Sequence, residues 1–62
     1  MNRIKELRIN AGLSQKELGD MVGLTHAAVS RHENGSRGLD ELMIKAYSKA
    51  LEVQAHELFV KL

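Results

Sequence analysis

The stretch SQKELGDMVGLTHAAVSRHENG, residues 14–35, contains two short helical patterns with almost nothing between them. Ser14 followed three residues later by Glu17 is a capping box, in which a hydroxyl and a carboxylate each satisfy a free backbone N–H at the start of a helix. That helix ends at a glycine, and Thr25 is an N-cap residue that opens the next one. Two short helices joined by a glycine-containing turn of about three residues predict a helix-turn-helix over residues 14–34.

The rest of the chain shows three further helical patterns. Apolar residues spaced three or four apart predict a helix at residues 2–10, a fourth helix with Asp40 and Glu41 in its first turn, and a last one at residues 55–61. The side chains expected to face inward on the second and fourth helices are Leu18, Met21 and Val22, and Leu39, Leu42, Met43, Ala46, Tyr47 and Ala50. On the last helix Leu58, Phe59 and Leu62 are expected to share one side, with Leu58 and part of Phe59 in the core. The expected fold is therefore all-α, a compact five-helix domain that spans residues 1–62.

Composition narrows the class of protein. The 62 residues include no cysteine and no proline, and with one tyrosine and one phenylalanine the core is expected to be aliphatic. No apolar run approaches the roughly 20 residues that cross a bilayer, so a cytoplasmic protein is expected. Residues 1–37 carry six Lys/Arg and four Asp/Glu, a net +2, whereas residues 38–62 carry three and four, a net −1. This asymmetry is compatible with nucleic acid approaching one side.

The third helix separates its residues by size and polarity. At about 100° per residue, the face spanning about 140° is small and polar, and the opposite face has only one large apolar residue. The first face carries His26, Ala27, Ser30, Arg31 and Asn34, and the second carries Ala28, Val29 and His32. A helix of this kind fits the major groove of B-DNA, which is about 12 Å wide, because short side chains let its backbone approach the base edges.

At these residues the chain resembles the Cro/lambda-repressor (Xre-like) family of bacterial and phage regulators. The matching features are Gln15 at the start of the second helix, the Val22-Gly23-Leu24 turn and the closing Arg31-x-Glu33-Asn34-Gly35. The likeness extends to Arg8 and to Glu57-Leu58-Phe59, and covers nearly the whole chain. It implies a lambda-repressor-like fold and a double-stranded DNA operator as the partner.

The resemblance also implies roles for individual residues. Base edges would be contacted by His26, Ala27, Ser30 and Arg31; phosphates by Gln15, Lys16, Thr25, Asn34, Ser36 and Arg37; and Arg8 with Glu33 would form a structural ion pair. Arg31 is the strongest candidate for specificity, since a guanidinium bonds both acceptors of guanine. A solvent-exposed side chain without a DNA contact stays the alternative for Arg31 and for His26. At Lys16 and Arg37 the sequence does not separate phosphate contacts from solvated charges.

Three positions depart from the family pattern. His32 stands where a large apolar or aromatic residue is usual, Gln54 replaces a Ser/Thr cap, and the loop after Gly35 lacks a frequent proline. A buried imidazole needs a hydrogen-bond partner, so His32 is expected to be a packing residue, with a pH switch as the alternative. A shared metal site with His26 is excluded, because the two lie about 9 Å apart along the helix and about 120° apart around it.

The function predicted is a sequence-specific transcriptional regulator, a repressor that binds a palindromic operator as a homodimer. The dimer surface is expected at Phe59, Val60 and Leu62. No catalytic motif, cofactor or small-molecule ligand is expected. An antitoxin or a restriction-modification controller would use the same fold, and a protein-interaction module without DNA binding is the alternative from a different class.

Overall fold

The computed structural model describes residues 2–60 and is helical throughout that range, apart from its turns and loops. The elements in chain order are α1 (Ile4–Asn10), α2 (Gln15–Val22), α3 (His26–Asn34), α4 (Glu41–Leu51) and a 3₁₀ helix, Ala55–Leu58. Helices α2 and α3 make the most extensive helix–helix contact and form the predicted helix-turn-helix.

Side-chain caps fix where the helices begin. The Ser14 hydroxyl accepts from the Glu17 backbone N–H at 3.0 Å, and the Glu17 carboxylate accepts from the Ser14 N–H at 2.9 Å. The bond from the Ser14 backbone N–H lowers the pKa of the Glu17 carboxyl, and the Ser14 side chain lowers it further. Thr25 and Asp40 each accept from the backbone N–H three residues on, which starts α3 and α4. The bounds of α2 and α3 therefore follow from local chemistry that the sequence displays.

The helix-turn-helix depends on a close approach between α2 and the turn that follows it. Gly19 is buried, and a Cβ atom built on it would lie 2.5 Å from the carbonyl oxygen of Leu24. The Leu24 N–H also donates to the Gly19 carbonyl at 2.8 Å. At the end of α2, Gly23 adopts φ 75°, a left-handed conformation that suits glycine. Both glycines are needed to hold α3 against α2.

One buried cluster joins all the elements. Its fully or nearly fully buried apolar members are Ile4, Leu18, Val29, Tyr47, Leu51 and Leu58. Tyr47, which was predicted to face inward, heads the fully buried side chains by volume, and the other members of the cluster are aliphatic as expected. Val29 occupies the predicted position on α3, where it packs in the same cluster as Leu18 and the partly buried Val22.

Two side chains predicted to face inward are exposed instead. Met21 is 54% exposed and Leu42 is 70% exposed. Leu42 lies about 140° around α4 from Tyr47, so a stripe centred on the tyrosine does not reach it. Met21 lies at the edge of α2 beside Ala46 and Ala50 of α4, whose small side chains leave an open groove rather than covering it. The apolar stripes predicted from sequence periodicity alone were therefore wider than the buried faces of the two helices.

The expected α-helix over residues 55–61 is a single 3₁₀ turn of four residues. The Glu57 carboxylate accepts from the Gln54 backbone N–H at 2.7 Å, and the Glu57 N–H donates to the Gln54 carbonyl at 3.0 Å. The turn seats Leu58 in the core and leaves Phe59 outside the helix, so the prediction that both face one way was wrong. Leu62 lies outside the described residues.

The first helix begins at Ile4 rather than at residue 2, because Asn2 and Arg3 form tertiary contacts. The Asn2 side chain accepts from the Ile4 N–H at 3.0 Å and donates to the His32 carbonyl at 2.8 Å. The Arg3 backbone N–H donates to the Leu58 carbonyl at 2.6 Å, and its guanidinium donates to the carbonyls of Glu57 and Val60. The start of α1 therefore holds both the end of α3 and the C-terminal turn.

Candidate nucleic-acid interface

Helix α3 has the two faces that its sequence predicts. Ala28, Val29, His32 and Glu33 are buried, whereas His26, Ala27, Arg31 and Asn34 are exposed and Ser30 is partly exposed. Within residues 2–60 the Arg31 side chain makes no ion pair and no hydrogen bond, so its donors remain available. The exposed face, formed by His26, Ala27, Ser30, Arg31 and Asn34, is a low polar ridge on which Arg31 is the one long cationic side chain.

A network of charged and polar side chains braces that ridge from behind. Arg8 Nε donates to Glu33 Oε2 at 2.6 Å, and a second guanidinium nitrogen lies 3.4 Å from Oε1. The remaining terminal nitrogen of Arg8 donates to the Leu13 carbonyl at 2.8 Å. Because both side chains of the pair are largely buried, loss of either would strand a charge. The structure thus brings Arg8 and Glu33 together as a link between α1 and α3.

Gln15, predicted to contact a phosphate, belongs to the same network. Its Nε2 donates to Glu33 Oε1 at 3.1 Å, which fixes the amide at the first residue of α2. An amide nitrogen has two hydrogens, so one donor remains after this bond. Sequence reasoning missed the contact between Gln15 and Glu33, since nothing in their spacing of 18 residues indicates it.

Lys16 and Thr25, also predicted to contact phosphates, differ in the intramolecular contacts that their side chains make. Lys16 is mostly exposed and lies 3.1 Å from the exposed Asp20 carboxylate, a surface ion pair that contributes little to stability. The Thr25 hydroxyl oxygen caps α3, and its hydrogen remains available as a donor. Neither side chain is buried, so both are accessible to a ligand.

The loop after α3 is ordered by its own hydrogen bonds. The Asn34 side-chain oxygen accepts from the Ser36 N–H at 2.9 Å, and the Arg37 N–H donates to the Arg31 carbonyl at 3.2 Å. The Ser36 hydroxyl lies 3.5 Å from that same carbonyl. This loop has no proline, and these bonds fold it against the last turn of α3. The exposed side chains of Asn34, Ser36 and Arg37 are therefore carried next to the ridge.

His32, the least expected residue of α3, has a partner in the core. Its Nδ1 lies 2.7 Å from the Tyr47 hydroxyl, and the two rings meet edge to face at 85° with centroids 5.5 Å apart. Burial lowers the pKa of His32, with a further lowering by Arg37, and burial raises the pKa of Tyr47 to about 12. The buried imidazole is therefore neutral and hydrogen-bonded to a protonated Tyr47 hydroxyl, and the packing interpretation of His32 is confirmed. This pair could have been predicted from the sequence. His32 and Tyr47 were both expected in the core, and each buried polar group needs a hydrogen-bond partner.

The surface predicted for dimerisation is partly visible. Phe59 is 45% exposed and Val60 is 55% exposed, at the end of the described chain. Phe59 lines a shallow groove with the loop after α3 and with Asn2. An apolar patch thus lies close to the loop that carries Arg37.

Comparisons with known proteins assign the fold to a family. A helix-turn-helix family model matches residues 4–58, which is most of the chain. The chain belongs to the Xre/Cro-like helix-turn-helix family. A member from Bacillus subtilis (strain 168), the uncharacterised HTH-type transcriptional regulator YgzD, is 34% identical over 58 residues, which cover 94% of this chain and 88% of that protein.

A solved structure extends the family likeness to three dimensions. The restriction-modification controller protein C.AhdI from Aeromonas hydrophila is 37% identical, with a TM-score of 0.86 over 92% of this chain and 86% of that one. As a member of the Xre/Cro-like helix-turn-helix family, which is a family of DNA-binding regulators, the chain is a DNA-binding transcriptional regulator. No helix within residues 2–60 is long and apolar enough to cross a membrane.

Proposed function

We propose that this regulator binds a palindromic operator as a homodimer, with α3 of each copy in the major groove. The observation that carries the proposal is the exposed face of α3, where the unpaired Arg31 guanidinium stands beside Ala27 and Ser30. Small neighbours let the helix backbone approach the base pairs, and the guanidinium bonds O6 and N7 of a guanine.

Phosphate contacts set the register of that helix. Gln15, Lys16, Thr25, Asn34, Ser36 and Arg37 are the residues proposed for them, and they lie on α2, at the start of α3 and in the loop after it. Such contacts position the protein on the duplex without reading its sequence. Arg8 and Glu33 are proposed to act only through the fold, since both are directed into the scaffold.

A homodimer supplies the affinity that one short helix lacks. One copy reaches only a few base pairs, whereas two copies on half-sites about one helical turn apart read twice as many. Phe59 and Val60 are proposed to form the dimer contact, together with Leu62. A dimer bound at a promoter would then exclude RNA polymerase, so repression is the proposed outcome. The proposed location of the protein is the cytoplasm.

Selection of bound duplexes from a random pool tests the proposal. We expect an enriched sequence with two-fold symmetry. Arg31→Ala should cost about 1–3 kcal/mol on that sequence and relax the preference at one base pair, whereas Lys16→Ala should weaken all sequences alike. Absence of any DNA binding at low salt would contradict the proposal and favour a protein-interaction module.

A restriction-modification controller is the second proposed role, supported by the likeness to C.AhdI at 37% identity. In that case the selected operator should lie upstream of the regulator's own gene, since a controller of this kind regulates itself. Footprinting on the promoter of that gene distinguishes the two roles. An antitoxin would share this autoregulation and would in addition bind a partner toxin.

A further inference from the structure

Next to the ridge of α3 lies a groove that the assigned DNA contacts only partly explain. It has a volume of about 290 Å³ and is lined by Lys5, Gln15, Ser30, Glu33 and Asn34. Helices α1, α2 and α3 all contribute, which makes it a tertiary feature rather than the end of one helix. Three of the five residues are already proposed to contact DNA.

The polar groups of this groove add up to a surface of hydrogen-bond donors. Glu33 contributes a carboxylate, but Arg8 and Gln15 already occupy its oxygens and Arg8 balances its charge. Gln15 keeps one amide hydrogen after its bond to Glu33, and Asn34 keeps its amide nitrogen because only its oxygen is bonded. A surface with free donors, whose one carboxylate already accepts three hydrogen bonds and is paired with Arg8, suits an anion.

Lys5 adds a net positive charge to these donors. It is exposed on α1, one turn before Arg8, and within residues 2–60 it has neither an ion pair nor a hydrogen bond. The carboxylate nearest in the groove is the one that Arg8 already neutralises at 2.6 Å. The Lys5 charge therefore remains uncompensated beside the ridge of α3.

We propose that this groove receives a backbone phosphate of the bound DNA and that Lys5 of α1 is a phosphate ligand, with Gln15 donating to the same group. The inference rests on the proposed function and extends the DNA surface from the helix-turn-helix to the first helix. An ammonium group is a point charge without the fork geometry that reads a base, so Lys5 contributes affinity and not specificity.

Salt dependence gives the first test, with Lys49 as the matched control. Lys49 is an exposed lysine of α4 in the groove beside Met21, away from every assigned DNA contact. Lys5→Gln should reduce the slope of log K against log salt by about 0.9, so the wild-type advantage shrinks about 3.5-fold between roughly 50 and 200 mM salt. Lys49→Gln should keep the wild-type slope, and Lys5→Arg should restore it.

Neutral methylphosphonate linkages, placed one at a time along the selected operator, locate the contact. In the wild type one linkage per half-site should weaken binding through loss of the Lys5 contact. Lys5→Gln should respond less than the wild type at that linkage, because only the Gln15 contact is left to lose there. Unchanged affinity and slope in Lys5→Gln, with wild-type protein still binding DNA, would overturn this inference alone. If the wild type itself fails to bind any duplex, the proposed function fails instead.

Discussion

His32 shows how a single polar residue is accommodated in a small core. It is 2% exposed, and it replaces the apolar side chain usual in the family with an imidazole that is hydrogen-bonded to the Tyr47 hydroxyl. The pair satisfies both groups, whereas removing one partner leaves a buried polar atom unpaired at a cost of about 1–3 kcal/mol. Its position on the buried side of α3 makes the seating of that helix depend on a neutral imidazole.

This dependence predicts a fall in stability with acidity. In the unfolded chain the imidazole titrates near its ordinary pKa of about 6.5, whereas in the folded protein burial and Arg37 lower the pKa and Asp40 only partly opposes them. Stability from the neutral ring is therefore complete above about pH 6.5 and is lost as the pH falls towards the folded pKa. Urea unfolding between about pH 8 and pH 5 should show this decline.

Two variants identify the group responsible for this decline. His32→Phe should flatten the pH profile even though it lowers the free energy of unfolding at neutral pH. His26→Asn, at an exposed position of the same helix, should keep the wild-type profile. An equal decline in His32→Phe and the wild type would assign the acid sensitivity to other groups.

At the scale of elements, the junction of α2 and α3 sets the geometry of the interface. The buried Gly19 faces the Leu24 carbonyl, and the capped start of α3 follows directly. Backbone atoms cannot move aside as a flexible side chain can, so any side chain at position 19 must push the helices apart. The orientation of α3 relative to α2 therefore depends on the lack of a Cβ atom at position 19.

Gly19→Ala should destabilise the protein by about 1–3 kcal/mol, because its Cβ would overlap the Leu24 carbonyl oxygen at 2.5 Å. Gly38→Ala is the matched control, since a Cβ there meets nothing within 4 Å, and its effect should stay within about 0.5 kcal/mol. Chemical denaturation of both variants measures the difference. Similar stabilities would show that the turn at Leu24 yields easily.

Local signals predicted the elements better than the contacts between them. The bounds of α2 and α3 followed from Ser14, Thr25 and the glycines after each helix, because capping acts over three residues. Periodicity placed Val29 inward correctly but misplaced Met21, whose exposure is decided by the small alanines of a distant helix. Contacts between elements depend on side-chain lengths and directions that a spacing rule does not contain.

For the molecule as a whole, the surface proposed for dimerisation can be altered without disturbing the core. Val60→Lys should weaken dimerisation at least about tenfold by sedimentation equilibrium, since it places a charge in an apolar contact. The free energy of unfolding should change little, because the Val60 side chain is 55% exposed and its hydrogen bonds to Arg3 and His56 are made by backbone atoms. Operator binding should require correspondingly more protein.

Ile9→Lys provides the control for that experiment. Ile9 is 56% exposed on α1, so the substitution adds the same charge at a comparable site outside the proposed dimer contact. It should leave the dimer intact. Dissociation by Ile9→Lys, together with an intact Val60→Lys dimer, would move the dimer contact to the α1 side of the molecule.

The hydrogen bonds of Asn2 and Arg3 connect the start of the chain both to α3 and to the C-terminal turn. Arg3 holds the segment that ends at Val60, and Asn2 holds the His32 carbonyl on α3. These two adjacent residues therefore connect the proposed dimer contact to α3 through hydrogen bonds. If the proposed homodimer forms through Phe59 and Val60, the spacing of its two α3 helices would depend on these contacts. Substitutions at Asn2 or Arg3 would then alter the operator spacing that the dimer prefers while every base contact stays the same.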